Sequence, residues 1–265
     1  YMLVFAGFWF LFNALFDVLP LHVRDWVDTS TVITDLFGAG GTQNGFFQFI
    51  LGMNNEGTRI EPEGVVNLNA AMIMLTCFLV AAWTAHYRIT TAMFAGAVAS
   101  VISMLLIGGF QNAWIVLFAV ALFSLGEMMI SPKKNEYMSN IAPKNKRAMY
   151  LGFVMLPQGI GWGLEGYFGP WLYNEFASKE NFSREFLVEK GMAPDQIAAI
   201  PQGEAFTRLV EFTGENAQAL TNQLYSMNNV GMAWYIIGII GTISAIGILL
   251  YGKWLFRMEM NTRQA

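Results

Sequence analysis

Six stretches of the chain are apolar over roughly the 20 residues that a helix needs to cross a bilayer. They span approximately 1–20, 67–85, 89–108, 112–131, 148–173 and 230–252. The second, third and sixth contain no charged side chain, and each of the others contains one acidic residue and no basic one. This pattern predicts an all-α integral membrane protein with six transmembrane helices.

Two of the connections between these stretches are long, at 21–66 and 174–229. In the second, Phe206, Leu209 and Val210 have helical spacing, as do Ala217, Leu220 and Leu224. We therefore expect a membrane bundle over 1–256, with a helical insertion at 174–229 and a short tail at 257–265.

Basic residues are distributed unevenly between the two sets of connections. The short connections near 86–88 and 132–147 and the C-terminal residues 253–265 carry nine Lys or Arg residues, and the two long connections carry six. Because cytoplasmic loops are enriched in Lys and Arg, the short connections are predicted to be cytoplasmic. The long connections would then lie outside the plasma (inner) membrane of a multi-pass protein.

Composition agrees with a membrane location and excludes several functions. The chain is 55% hydrophobic and 13% charged, against about 25% charged residues in soluble domains. A net charge of −4 gives no reason to expect nucleic acid as a partner. One cysteine and two distant histidines offer no metal site, and no catalytic or cofactor motif occurs. We expect no enzyme activity and no cofactor.

The first helix carries Trp9, Asn13 and Asp17 at intervals of four, so the three share a face. A carboxylate at membrane depth costs about 2.5–3.5 kcal/mol on insertion scales and usually faces a cavity or a partner. Asp17 is thus a candidate for proton coupling, and Trp9 and Asn13 for substrate binding. The alternative is that Asp17 lies near the helix end and is simply hydrated.

The fourth helix places Glu127 on one face with Ser124 and Ser131. Glu127 is a candidate for both substrate binding and proton coupling. In the alternative interpretation, it extends to the cytoplasm or pairs with Lys133 or Lys134.

The fifth helix has two distinct faces. One is a stripe of glycines that predicts close helix packing, formed by Gly152, Gly159, Gly163 and Gly166. The other holds Gln158 and Glu165, seven residues apart, and would line a polar cavity, with Trp162 between the two faces. Gln158 and Trp162 are candidates for substrate binding, and Glu165 is a candidate for proton coupling. Alternatively, Glu165 lies near the outer surface and contacts the helical insertion.

A longer motif gives a family resemblance. Gly126-Glu127, Ser131-Pro132, Ala142-Pro143 and Met149-x-x-Gly152 occur in the order found in proton-dependent oligopeptide transporters of the major facilitator superfamily. Weaker similarities are Phe8-Trp9-x-Leu11-Phe12 and Leu68-Asn69. The resemblance implies that the chain is the second six-helix half of a two-half fold. It also implies that Glu127 binds the amino end of a peptide and couples protons, and that Trp9 and Asn69 line the cavity.

These observations together predict a secondary transporter that moves a small solute by alternating access, with proton coupling and a peptide-like substrate as one option. The chain begins at Tyr1 within an apolar run, so we expect it to lack an N-terminal six-helix half. The alternative is a membrane receptor or assembly protein that keeps the fold without transport. Proton-sensitive solute flux distinguishes the two.

Overall fold

The computed structural model describes the backbone of residues 2–264 and the side chains of residues 2–257. Over this range the regular elements are helices, and the only strand-like pairing is an isolated antiparallel bridge between Met53 and Ile60. The helices are α1 (Met2–Trp26), α2 (Ser30–Phe37), α3 (Gly45–Leu51), α4 (Pro62–Thr84), α5 (Ile89–Gly109), α6 (Ala113–Ile141), α7 (Arg147–Phe153), α8 (Leu156–Phe176), α9 (Lys179–Glu189), α10 (Pro194–Ala198), α11 (Ala205–Thr213), α12 (Ala217–Met227) and α13 (Met232–Gln264).

Five helices in the described part of the chain are long and apolar enough to cross a membrane: α1, α4, α5, α6 and the Met232–Arg257 part of α13. Helix α8 has 21 residues and lies along α1, but its glycines and polar side chains make it less apolar. The chain is an all-α integral membrane bundle, as its hydrophobic pattern predicted.

The prediction of one continuous helix over 148–173 was wrong. Helix α7 ends at Phe153 and α8 begins at Leu156, so two residues separate them. Pro157 lies in the first turn of α8. A proline is favourable there because the first amide groups of a helix have no partner within it, but it lacks the N–H that would continue a helix arriving from α7.

Several other helices run past their predicted ends. Helix α1 continues through Pro20 to Trp26, and α6 continues through Pro132 to Ile141. Beyond Pro132, α6 buries Tyr137 and Met138 against the bundle, so packing supports the extension. The backbone of α13 is helical to Gln264 and includes most of the predicted tail.

Helix α1 is the centre of the bundle and contacts α4, α5, α8 and α13. Helices α5 and α6 form the most extensive pair. They meet at glycines: a Cβ at Gly96 would lie only 2.5 Å from the carbonyl oxygen of Gly126, so the two backbones touch. The basic connections lie at one end of the bundle, called here the basic end, and the long connections at the other, called the cap end.

The long connection between α8 and α13 is helical, as predicted. It contains α9 to α12, and the two spacings identified in the sequence correspond to α11 and α12. The indole of Trp26 at the end of α1 donates a hydrogen bond to the carbonyl of Ala177 (2.8 Å), just before α9. This bond joins the insertion to the bundle.

Candidate functional site

Glu127 belongs to a buried polar cluster between α4 and α6. The amide of Asn69 donates to Glu127 Oε2 at 3.0 Å and lies 3.1 Å from Ser124 Oγ. Ser124 in turn donates to the carbonyl of Val120 at 2.8 Å. Asn69 and Ser124 are 2% and 0% exposed, and Glu127 is 9% exposed. The fold therefore brings together two predicted site residues that are 58 positions apart.

A cation completes this cluster from the same helix. Lys134 lies seven residues after Glu127, is 7% exposed, and interacts electrostatically with the Glu127 carboxylate. Its ammonium group lies 3.9 Å from the centre of the Trp9 ring on α1. Trp9 was predicted to line a cavity, and here its face carries a buried charge. We call Asn69, Ser124, Glu127, Lys134 and Trp9 the Glu127 cluster.

The structure supports one part of the alternative interpretation of Glu127. Lys134 provides a nearby positive charge, whereas Lys133 pairs with Glu136 at 2.8 Å. Lys134 was considered in the sequence only as a loop residue. Its spacing of seven from Glu127 puts both on one helical face, and this was the signal that could have identified it.

A second polar cluster lies one turn further along α1 and joins it to α8. The amide of Asn13 donates to Asp17 at 2.9 Å and also donates a short hydrogen bond to Glu165. Glu165 is fully buried, whereas Asp17 is exposed. All three were predicted site residues. We call them the Asn13 cluster.

The two faces of α8 are the reverse of the prediction. A Cβ at Gly152 in α7, or at Gly159, Gly163 or Gly166 in α8, would meet no described atom of another helix within 4 Å. The packed face instead contains Gly161, where a Cβ would lie 2.6 Å from the carbonyl of Ala6, and Glu165 itself. Glycine at helical spacing permits close packing but does not require it, so the stripe alone did not identify the partner face.

Trp162 and Gln158 lie outside the two clusters. Trp162 is 42% exposed and its ring stacks at 6.5 Å with Phe12, which also contacts Trp9 (5.1 Å) and Phe16 (5.0 Å). Phe12 was not predicted, although its place in the Trp9–Phe12 motif was visible. Gln158 is half-buried, and among the described residues its amide makes no hydrogen bond to either cluster.

At the cap end, a cleft of about 190 Å³ lies between the end of α1, the start of α4 and the insertion. Lys179 lines it, donates to Thr221 at 2.7 Å and lies 3.7 Å from the centre of the Phe206 ring. Burial lowers the pKa of Lys179 to about 8, although Asp25 opposes this change. Two ion pairs line this cleft, Arg24 with Asp25 at 2.8 Å and Arg59 with Glu61 at 3.4 Å, which favours a structural role.

Chemically, the arrangement suits binding and proton exchange. The described residues contain no group of three His, Cys, Asp or Glu side chains able to hold a metal ion. His22 is fully buried and its Nδ1 accepts a hydrogen bond from the Trp234 indole at 3.1 Å. Buried carboxylates held by amides, one beside a lysine, are groups whose charge depends on proton or ligand binding.

Comparisons with known proteins give a partial similarity. No family model matches the chain, and no solved structure matches it. It is 26% identical over 119 residues to "Multidrug resistance protein MdtH" of Blochmanniella pennsylvanica (strain BPEN), which is 44% of this chain and 29% of that protein. The protein of the same name from Sodalis glossinidius (strain morsitans) is 27% identical over 109 residues, 40% of this chain and 27% of that protein.

The aligned regions thus cover less than a third of each relative. Neither relative is named as an enzyme. The chain is an all-α integral membrane protein with weak sequence similarity to two multidrug resistance proteins.

Proposed function

We propose that the chain is part of a secondary transporter that moves small solutes across a membrane by alternating access, coupled to protons. The observation that carries this proposal is the Glu127 cluster. A carboxylate buried in a membrane helix, bonded to an amide and facing a buried lysine, has no packing advantage over an apolar side chain. Such groups are characteristic of proton and substrate pathways.

In the proposed cycle, Glu127 exchanges partners. While ionised, it is stabilised by Asn69 and by the positive charge of Lys134. Protonation removes its negative charge, and Lys134 then keeps only the face of Trp9 as a partner in the cluster. Because Lys134 and Trp9 link α6 to α1, a change of charge at Glu127 alters the attraction between these helices. This gives the proton a means to bias inward and outward arrangements.

The substrate class follows from the same groups. A solute amine would compete with Lys134 for the Glu127 carboxylate, and the aromatic rings of Phe12 and Trp162 offer an apolar surface beside it. Peptides carry such an amine, in line with the oligopeptide transporter resemblance. The names of the two relatives suggest drug-like compounds instead. We therefore propose amine-bearing small solutes, with peptides and cationic drugs as the two classes to compare.

The Asn13 cluster is the second candidate for coupling. Glu165 and Asp17 share the amide of Asn13, which brings two carboxylates together in one polar site. Gln158, seven residues before Glu165, would extend this surface toward the substrate.

The proposed assembly includes a partner half. We propose that these helices, with α8 as the sixth membrane segment, form the second half of a two-half fold in which an N-terminal six-helix half faces the Glu127 cluster. In this arrangement, the open glycine face of α8 borders the cavity between the halves. The basic end faces the cytoplasm and the cap end faces outside the inner membrane.

Transport by the complete protein in proteoliposomes tests the proposal. With a pH gradient imposed in either direction, the parent should accumulate a labelled dipeptide or a hydrophobic amine above the level of protein-free liposomes, and dissipating the gradient should stop accumulation. Uptake into an alkaline lumen indicates symport with protons, and uptake into an acidic lumen indicates exchange against them. Glu127→Gln, which mimics the protonated acid, should lose uphill accumulation by at least about tenfold while substrate exchange survives. Glu136→Gln is the matched control, since Glu136 lies on the same helix and is exposed.

Two results would reject the proposal. A parent protein that binds solute without any flux would favour the receptor or assembly role. A Glu127→Gln variant that concentrates solute as well as the parent would remove Glu127 from coupling and leave Glu165 as the candidate.

A further inference from the structure

The connection between α1 and α4 exposes an apolar surface that the described residues leave uncovered. We call it the aromatic patch, formed by Leu36, Phe46, Phe47, Phe49 and Ile50. Phe46 is 65% exposed and Phe49 is 86% exposed. Soluble surfaces rarely keep so many large apolar side chains together unless something binds them.

The patch is the outward side of a folded loop rather than a loose segment. Gln48 turns inward and donates to the carbonyl of Thr42 at 3.1 Å, and the amide of Thr42 donates to the carbonyl of Gly57 at 3.0 Å. Phe46, Phe49 and Ile50 have helical spacing on α3 and point away from these bonds. Phe37 and Phe47 are in ring contact at 5.2 Å. The patch is therefore held in place by the polar side of the loop.

The position of the loop is fixed by α2. Val32 and Ile33 of α2 are both 1% exposed, and Asp35 accepts a hydrogen bond from the Trp114 indole at 2.9 Å. Trp114 is the second residue of α6, where that membrane helix begins. The loop accordingly lies at the level of the helix ends, where the headgroups of a surrounding bilayer would be.

The charge pattern of the loop identifies its partner. Residues 36–55 contain no Asp, Glu, Lys or Arg, and acidic side chains stand only at the borders, at Asp35 and Glu56. Bringing this surface into a membrane interface desolvates no charge. Aromatic side chains are enriched at that depth, and a helix with one apolar face lies there with that face in the acyl boundary.

We propose that the aromatic patch inserts into the bilayer leaflet at the cap end and anchors the loop to lipid. This surface is independent of transport and of the Glu127 cluster. Its occupant is lipid, because a charge-free surface of aromatic and aliphatic side chains at the level of the helix ends matches the boundary between headgroups and acyl chains.

Spin-label accessibility in liposomes of phosphatidylethanolamine and phosphatidylglycerol tests this. The complete protein in a Cys77→Ser background is labelled at Phe49→Cys, or at Phe46→Cys if the first variant does not fold. Collision with dissolved oxygen should exceed collision with a water-soluble nickel complex several-fold. Asn55→Cys, on the exposed side of the same loop, is the matched control and should show the reverse order.

Each other outcome overturns the proposal. If the label at position 49 meets the nickel complex as freely as that at position 55, the patch faces water. If it is shielded from both reagents, a protein surface covers it.

Discussion

The ammonium group of Lys134 lies 3.9 Å from the centre of the Trp9 ring, while the same side chain interacts with the carboxylate of Glu127. Trp9 is in α1 and the other two residues are in α6. A lysine with 7% exposure in a membrane helix needs partners of this kind, because neither water nor lipid can stabilise its charge there. This relationship connects the central helix of the bundle to its best candidate for coupling.

Removing Lys134 should leave the buried carboxylate of Glu127 without its positive partner. Lys134→Met should lower the free energy of unfolding of the purified protein by about 3–5 kcal/mol, the usual cost of removing one partner of a buried ion pair, here the partner of Glu127. The double variant Lys134→Met with Glu127→Gln should recover part of that loss. Unfolding curves of the parent, both single variants and the double variant measure the coupling between the two positions.

The control for this cycle is Lys133→Met, which removes a neighbouring lysine paired instead with the exposed Glu136. Combining Lys133→Met with Glu127→Gln should give additive changes. If the Lys134 combination is equally additive, the two charges do not depend on each other.

The two faces of α8 should respond in opposite ways to the same substitution. Gly161→Ala should be strongly destabilising, because its Cβ would lie 2.6 Å from the carbonyl of Ala6 and 2.9 Å from the amide of Phe10. In Gly163→Ala the new Cβ contacts no described atom of another helix. The free energy of unfolding should therefore stay the same or rise by up to about 1 kcal/mol, because alanine favours the helix more than glycine does. Thermal unfolding in detergent measures both. Equal losses at the two positions would mean that a second surface packs on the glycine stripe.

How far the sequence could predict this molecule depends on the range of each interaction. Apolar runs of membrane length located the helices well, because burial in lipid depends on composition along one helix. The break between α7 and α8 was missed, since a proline that starts a helix and one that lies inside a helix look alike in an apolar run. Asp17, Glu127 and Glu165 were identified because charge is rare in such runs.

The partners of those carboxylates were harder to predict. Asn69 and Glu127 are on different helices, and Asn13 and Glu165 are 152 positions apart. Their pairing depends on which faces of α1, α4, α6 and α8 meet, and helical spacing leaves that choice open. Lys134 was considered as a partner of Glu127 only from the loop, because α6 was expected to end at Ser131, before the lysine.

A third carboxylate in the Asn13 cluster should make stability dependent on pH. Asn13→Asp removes the donor shared by Asp17 and Glu165 and places three acids together. Like charges repel, so the variant should lose stability as pH rises from 5 to 8, relative to the parent. Asn145→Asp, at an exposed position in the connection before α7, is the matched control and should show no such trend. If the melting temperatures of Asn13→Asp and the parent change equally with pH, the three residues do not form a cluster.

The insertion at the cap end should carry a different pH dependence. Burial holds the pKa of Lys179 at about 8, below its ordinary value of 10.5. The unfolded chain therefore binds this proton more tightly, and below pH 8 the charged lysine opposes folding. As pH rises from about 8 to 10.5 this opposition is relieved, so the free energy of unfolding of the insertion rises toward the value it has with a neutral lysine.

Hydrogen exchange of α9, α11 and α12 between pH 7 and 10, compared in the parent and in Lys179→Met, measures this contribution after correction for the intrinsic exchange rate. The parent should gain protection relative to the variant as pH rises. Lys190→Met is the control, since Lys190 is exposed and lies 3.6 Å from Glu215. A constant difference between parent and Lys179→Met would show that Lys179 does not titrate in this range.

The proposed orientation separates the two ends of the bundle and can be tested by labelling. Asn145 lies in the basic connection before α7, and Gln202 lies in the turn before α11; both are exposed. In a Cys77→Ser background, Asn145→Cys should be labelled by a membrane-impermeant maleimide only after the cells are opened. Gln202→Cys should be labelled in intact cells, because lysine and arginine are retained on the cytoplasmic side. Each residue is also outside the Glu127 and Asn13 clusters, so neither substitution interferes with the candidate site. Labelling of both from the same side would mean that α8 does not cross the membrane, since α8 is the one segment between these positions that reverses sides.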